Sequence, residues 1–186
     1  ACIGGEIPQH ILNGRMDKAE ESVLWFKNLF GEDYYLEIQR HETHDPNAAQ
    51  DVYPHQVTAN KAILELARKH NIKVIATNDV HFVNAEDAEA HDRLICLSTG
   101  KDLDDPNRMR YTKQEWMKTT AEMNTIFSDI PEALSNTLEI ADKVEFYSID
   151  HGPIMPTFAI PEDFGTEEQY RQKFTEQDLF DEFTRD

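Results

Sequence analysis

Two side chains in the stretch Lys73-Val74-Ile75-Ala76-Thr77-Asn78-Asp79-Val80-His81-Phe82 have the types and spacing to do chemistry together. Asp79 offers a carboxylate and His81 an imidazole, two residues apart. On an extended chain, residues i and i+2 point to the same side, so the pair would project together. The run before them is apolar and β-branched, the pattern of a buried strand. Polar groups at the C-terminal end of such a strand are where α/β folds place ligands and catalysis. Oxygen and imidazole nitrogen together suit a borderline divalent ion such as zinc or manganese. Asp-x-His is a common spacing in a chain with 36 acidic residues and 8 histidines. The plainer reading has Asp79 capping the next turn and His81 packed beneath a loop.

The elements that must position this pair follow from periodicity. Residues 1–14, with Gly4, Gly5, Pro8 and Gly14, read as a loop with a short turn of helix. Ala19, Val23, Phe26 and Phe30 recur at helical spacing, and Gly31 makes a C-cap. Trp25, Phe26, Leu29 and Phe30 read as core. Tyr34 to Gln39 is aromatic and β-branched, a strand, and residues 40–54 read as a long exposed loop. A helix is expected from about Gln56 to His70, ended by Asn71, before the strand at 73–78. Asn84 can cap a helix reaching about Leu97, with His91 a core histidine on its apolar face. Three cap signatures follow: Thr112 with Glu115, Thr119 with Glu122, and Asp129 with Glu132. The last opens a helix with Pro131 in its first turn, running to about Lys143. Pro153, Pro156 and Pro161 make residues 144–162 largely extended, and Thr166 with Gln169 opens a final helix. Helix, strand, helix, strand argues an α/β fold with a parallel sheet.

Composition sets outer bounds. With 186 residues, one core plus an appendage is expected. No run approaches the length that spans a membrane, and no signal peptide is visible. Cys2 and Cys96 make no disulfide framework, which fits a cytoplasmic protein. The formal net charge is −18, which repels phosphate and argues against a nucleic-acid groove on this chain alone. Lys101, Arg108 and Arg110 cluster in a turn-rich stretch, where Asp102, Asp104 and Asp105 are the expected partners. The start at Ala1-Cys2-Ile3, without Met, suggests a piece of something longer.

Several stretches, taken together in order and spacing, resemble one family. They include Cys2-Ile3-Gly4-Gly5-Glu6, Tyr35-Leu36-Glu37-Ile38-Gln39 and Ala76-Thr77-Asn78-Asp79-Val80-His81-Phe82. Further on come Ala90-His91-Asp92, Thr99-Gly100-Lys101, Asp105-Pro106-Asn107-Arg108 and Asp129-Ile130-Pro131-Glu132-Ala133-Leu134, then Asn136-Thr137 and Glu139-Ile140-Ala141. The chain resembles, almost end to end, the PHP (polymerase and histidinol phosphatase) domain of bacterial replicative DNA polymerase III alpha subunits. The resemblance implies part of a distorted seven-stranded β/α barrel, with a metal cluster at the C-terminal ends of its strands. Residues 1–150 would be the C-terminal part of that domain, and 151–186 a linker and first helix leading towards the polymerase palm. By the family's pattern, Cys2, Asp79 and His81 match its later metal ligands, while the earlier ligands fall before Ala1. His41, following the strand of Glu37, is a further candidate, as a ligand or as a donor behind one. The loop at 42–54 is longer than the family usually has there.

The implied activity of the parent is DNA-directed DNA synthesis, with none of the palm carboxylates in this chain. The local module would be a metal-dependent 3′–5′ exonuclease when complete, using zinc, manganese or magnesium. The alternative is a catalytically silent brace that docks a separate proofreading subunit. DNA and deoxynucleotides would be met through the parent, not through this piece. The piece alone is expected to hold metal weakly or not at all. It is also expected to self-associate, or to cover its exposed sheet with its own helices.

Overall fold

The computed structural model describes residues 2–156 together with 166, 168, 169 and 172. The chain divides into two units, Ala1–Glu145 and Phe146–Asp186. In the first unit two strands, β1 (Leu36–Ile38) and β2 (Val74–Ala76), pair in parallel with Leu36 opposite Val74 and Ile38 opposite Ala76. Both are shorter than their apolar runs predict. Among the described residues this is a two-stranded sheet, so these residues by themselves do not build the seven strands that the resemblance implies.

Among the described residues the first unit carries the helices α1 (Glu6–Leu12), α2 (Met16–Phe30), α3 (Val52–His70), α4 (Ala88–Thr99), α5 (Thr120–Ile126) and α6 (Pro131–Lys143), of which α3 packs on β1 and α6 on β2. The crossover from β1 to β2 runs through α3, as a parallel pair requires. One core joins them: Ile7 and Ile11 of α1, Val23 of α2, Ile63 and Leu66 of α3, the inward residues of both strands, and Phe127, Ile130 and Ala133. Asn71 ends α3 in the left-handed conformation, φ 51°, and Gly100 ends α4 at φ 65°. Asn is the residue other than Gly that tolerates this best.

Several local expectations are corrected. The first 14 residues are more helical than their glycines suggest, because Gly5 serves as the N-cap of α1 rather than breaking it. Helix α3 starts at Val52, earlier than predicted, since Pro54 falls in its first turn, where a missing N–H costs nothing. Asn84 and Asp87 form a capping box over a 3-10 turn, Ala85–Asp87, before α4 begins. Of the three later signatures, Thr119 with Glu122 is a true capping box on α5. Thr112 and Glu115 bond to each other without starting a helix. Asp129 is drawn off to Arg40, leaving Ile130 at the N-cap of α6.

The aromatic end of α2 is also not core. Ala19 and Val23 are fully buried, but Trp25 and Leu29 are each 59% exposed and Phe30 is 52% exposed. A residue two places on lies about 200° round a helix, so Trp25 points away from the stripe that carries Val23. Only Phe26 packs inward, stacked on Tyr34 at 5.7 Å.

In the second unit, residues 146–156 carry no helix or strand. Thr166 and Gln169 make the reciprocal bonds of a capping box, at 3.0 and 3.3 Å, and residues 168, 169 and 172 are helical. The rest of the expected linker and final helix lies outside the described residues.

Candidate metal-binding pair at the end of a parallel strand

The chain leaves β2 at Ala76 and becomes irregular before it reaches Asp79. Asp79 itself has φ 47°, in the left-handed region. Strand alternation therefore does not bring the two candidate donors together, contrary to the spacing argument. A turn does so instead: Asp79 Oδ1 lies 3.5 Å from His81 Nε2, with both side chains partly open to solvent.

The turn is held by the segment from Tyr111 to Met117. Asn78, buried, donates from Nδ2 to the carbonyls of Gln114 at 3.0 Å and Trp116 at 2.8 Å. His81 donates its backbone N–H to the Glu115 carbonyl at 2.8 Å, and Phe82 forms a bridge with Trp116. Glu115 is anchored in turn, its Oε1 accepting the Thr112 N–H at 3.0 Å and the Thr112 hydroxyl at 2.6 Å. The long 42–51 loop props the same segment from behind, with Ala49 N–H on the Tyr111 carbonyl at 2.9 Å and Lys113 on Asp45 at 2.8 Å.

His41 stands inside this scaffold. It is 3% exposed, and both ring nitrogens are engaged, Nε2 with the Asn78 carbonyl and Nδ1 with Gln56, each at 3.1 Å. Gln56 Oε1 accepts the His41 backbone N–H at 2.7 Å, so its Nε2 is the end facing Nδ1. That makes Nδ1 the acceptor and Nε2–H the donor to Asn78. Burial lowers the His41 pKa despite the nearby Glu115, which favours this neutral form. His41 thus supports the residue before Asp79 and offers no open nitrogen.

Aromatic rings wall the pair on one side, a feature that the linear spacing did not reveal. Tyr111 lies 4.7 Å from His81 and 4.9 Å from His91, and His91 lies 5.4 Å from His81 and 5.1 Å from Phe82. Burial, followed by the charges of Asp79 and Glu115, raises the Tyr111 pKa. Burial and the neighbouring His81 lower that of His91. His91 is thus a partly buried member of the site wall rather than a core histidine.

Cys2 sits exposed on the turn before α1, where its carbonyl accepts the Gly5 N–H at 2.8 Å. Among the described residues, no three His, Cys, Asp or Glu side chains gather closely enough to hold a metal. Two donors converge, Asp79 and His81, and their chemistry fits a divalent ion as part of a larger set. Of the basic cluster, Lys101 pairs with Asp105 as expected, whereas Arg108 grips Asp92 through two bonds at 2.6 and 2.7 Å. Arg110 bonds the carbonyls of Pro106 and Asp105.

An α/β domain with a carboxylate–imidazole pair beyond the C-terminal end of a parallel strand is the class that fold and site define. No family model matches the chain. Its sequence is 41% identical over 177 residues, 94% of the chain, to the DNA polymerase III subunit alpha of Borreliella burgdorferi. It is 37% identical over 168 residues to that of Pseudomonas aeruginosa, and 36% over 182 residues to that of Thermus aquaticus. Over nearly its whole length, the chain is similar in sequence to a segment of these bacterial DNA polymerase III alpha subunits. It spans about 15% of the length of the first of these relatives and 14% of each of the other two.

Proposed function

We propose that this chain is part of the PHP module of a cytoplasmic replicative DNA polymerase III alpha subunit. The whole subunit would carry out DNA-directed DNA synthesis, and this segment would supply the closing ligands of a divalent-metal site. The similarity over nearly the full chain supports the parentage. The observation that carries the local reading is the convergence of Asp79 and His81 at 3.5 Å on a turn fixed by buried hydrogen bonds.

A zinc, manganese or magnesium ion there would activate water and stabilise the leaving oxygen of a phosphodiester. Asp79 and His81 would bind it, with Cys2 and donors from elsewhere in the alpha subunit completing the set. Tyr111 and His91 pack against the His81 ring and help to orient it. The reaction would be 3′–5′ excision at a primer end. The second reading, a silent brace that docks a proofreading subunit, draws on the exposed apolar face of α2 at Trp25, Leu29 and Phe30. The same face would drive self-association of this chain alone.

The test uses Asp79→Asn and His81→Arg in the full alpha subunit, with excision and primer extension measured on the same preparations. Excision is expected to fall by at least about 100-fold, since loss of even a partner behind a metal ligand costs about 10–100-fold, while extension is retained. Undiminished excision would remove the pair from the site, and collapse of both activities would favour the brace.

A further inference from the structure

We propose that Asn78 is the positioning residue of this site: its side-chain amide locks the turn that aims Asp79 and His81. The inference rests on the reading of those two residues as ligands. Asp79 occupies the left-handed region, φ 47°, which Asp tolerates better than most residues with a Cβ but which still favours Gly, so restraint from its surroundings helps to hold it there. The restraints converge from both sides. On one, Asn78 Nδ2 spends both its protons on the Gln114 and Trp116 carbonyls, at 3.0 and 2.8 Å. On the other, His81 N–H is tied to the Glu115 carbonyl at 2.8 Å. The Asn78 carbonyl is itself capped by His41 Nε2 at 3.1 Å.

The requirement for asparagine follows from this geometry. One nitrogen must donate two hydrogen bonds from a buried position, 7% exposed, to two carbonyls two residues apart. Asp has no proton to give when ionised, and Ser or Thr has one. Those carbonyls belong to the segment whose Tyr111 ring lies 4.7 Å from His81. Asn78 therefore sets the carboxylate, the imidazole and the aromatic wall in register at once.

A buried asparagine can also serve stability alone, and Asn60 provides the comparison. It is 8% exposed and donates to the Gln39 carbonyl at 2.8 Å, making no direct bond to residues 78–82. Asn78→Ala, Asn78→Asp and Asn60→Ala are made in the full alpha subunit, and folding is checked by thermal unfolding. Should Asn78→Ala fail to fold, the near-isosteric Asn78→Asp carries the test.

Two readouts are taken. The first, without metal, is amide hydrogen exchange at residues 79–82. Asn78 variants are expected to exchange there at least about tenfold faster, and Asn60→Ala to match wild type. The second is titration with cobalt(II), whose visible spectrum reports ligand geometry. Asn78 variants are expected to lose about 10–100-fold in affinity with an altered spectrum, and Asn60→Ala to lose none. Unchanged exchange at 79–82 in a folded Asn78 variant overturns the proposal. Faster exchange with unchanged cobalt affinity overturns it too, because the turn would then be held without serving ligation. If wild type itself takes up no cobalt, the metal reading of Asp79 and His81 fails, and the exchange readout still decides whether Asn78 holds the turn.

Discussion

Arg108 shows how a single residue finds its partner through tertiary structure. Three aspartates crowd it in sequence, yet its guanidinium forks onto Asp92 on α4, with side chains only 5% and 13% exposed. The hydrogen bond from Arg108, then its charge, hold the Asp92 carboxyl below the usual carboxylate range. A folded-state pKa below the unfolded value contributes stability above about pH 3.9, and that stability is lost as pH falls through the folded value. Asp92→Asn should therefore cost about 2 kcal/mol at neutral pH, the range for hydrogen bonds to a charged group. The gap between wild type and variant should narrow steadily as the pH falls below about 3.9. Urea unfolding of both proteins across that range checks the sign. A gap that stayed constant or widened in acid would show that the pair is not what stabilises α4.

At the scale of elements, α6 packs beside β2, and α5 packs on α6. Thr119 and Glu122 fix the start of α5 by reciprocal bonds, and Asn136 of α6 reaches the Val74 carbonyl at 2.8 Å. Between the helices Phe127 is 1% exposed, with the Arg40 guanidinium 5.0 Å above its ring. Arg40 also pairs with Asp129 at 2.6 Å, the contact that takes Asp129 away from the helix cap. Truncating a phenylalanine so buried leaves a cavity that neighbouring helices fill only in part. Phe127→Ala is expected to cost about 3–5 kcal/mol. Trp25→Ala on the open face of α2 should stay within about 0.5 kcal/mol when the chain is dilute enough to be monomeric. Comparing the two denaturation midpoints is sufficient. Equal losses would mean that the exposed face of α2 is packed in solution.

For the molecule as a whole, charge dominates. Thirty-six acidic residues against 18 basic ones leave a net −18, and most cations near the site are already spent on carboxylates. Binding to DNA gains free energy from counterions released by clustered Lys and Arg, and among the described residues Lys101, Arg108 and Lys113 are each held by a carboxylate. This chain by itself is expected to give no salt-sensitive shift of primed DNA at low micromolar protein. A shift that weakened steeply with added salt would contradict this and assign the chain a direct role in gripping DNA. Among the described residues, no helix is long and apolar enough to cross a membrane.

The sequence by itself determined a good deal. The strands at 36–38 and 74–76, α6 with Pro131 at its start, the C-caps at Gly31 and Asn71, and the capping box at Thr119 were all legible. Each is set by local sterics and hydrogen bonding over a few residues. The motifs also disclosed the kinship with polymerase alpha subunits, and the pairing of Asp79 with His81. What brings that pair together was not legible, because it depends on contacts far apart in the chain. Asn78 reaches carbonyls 36 and 38 residues away, and the ring over His81 comes from Tyr111. The same holds for Thr112 with Glu115, a cap signature that the fold turned into a brace for the turn of Asp79 and His81. A capping box names two groups able to bond each other, and only the packing around them decides whether a helix follows.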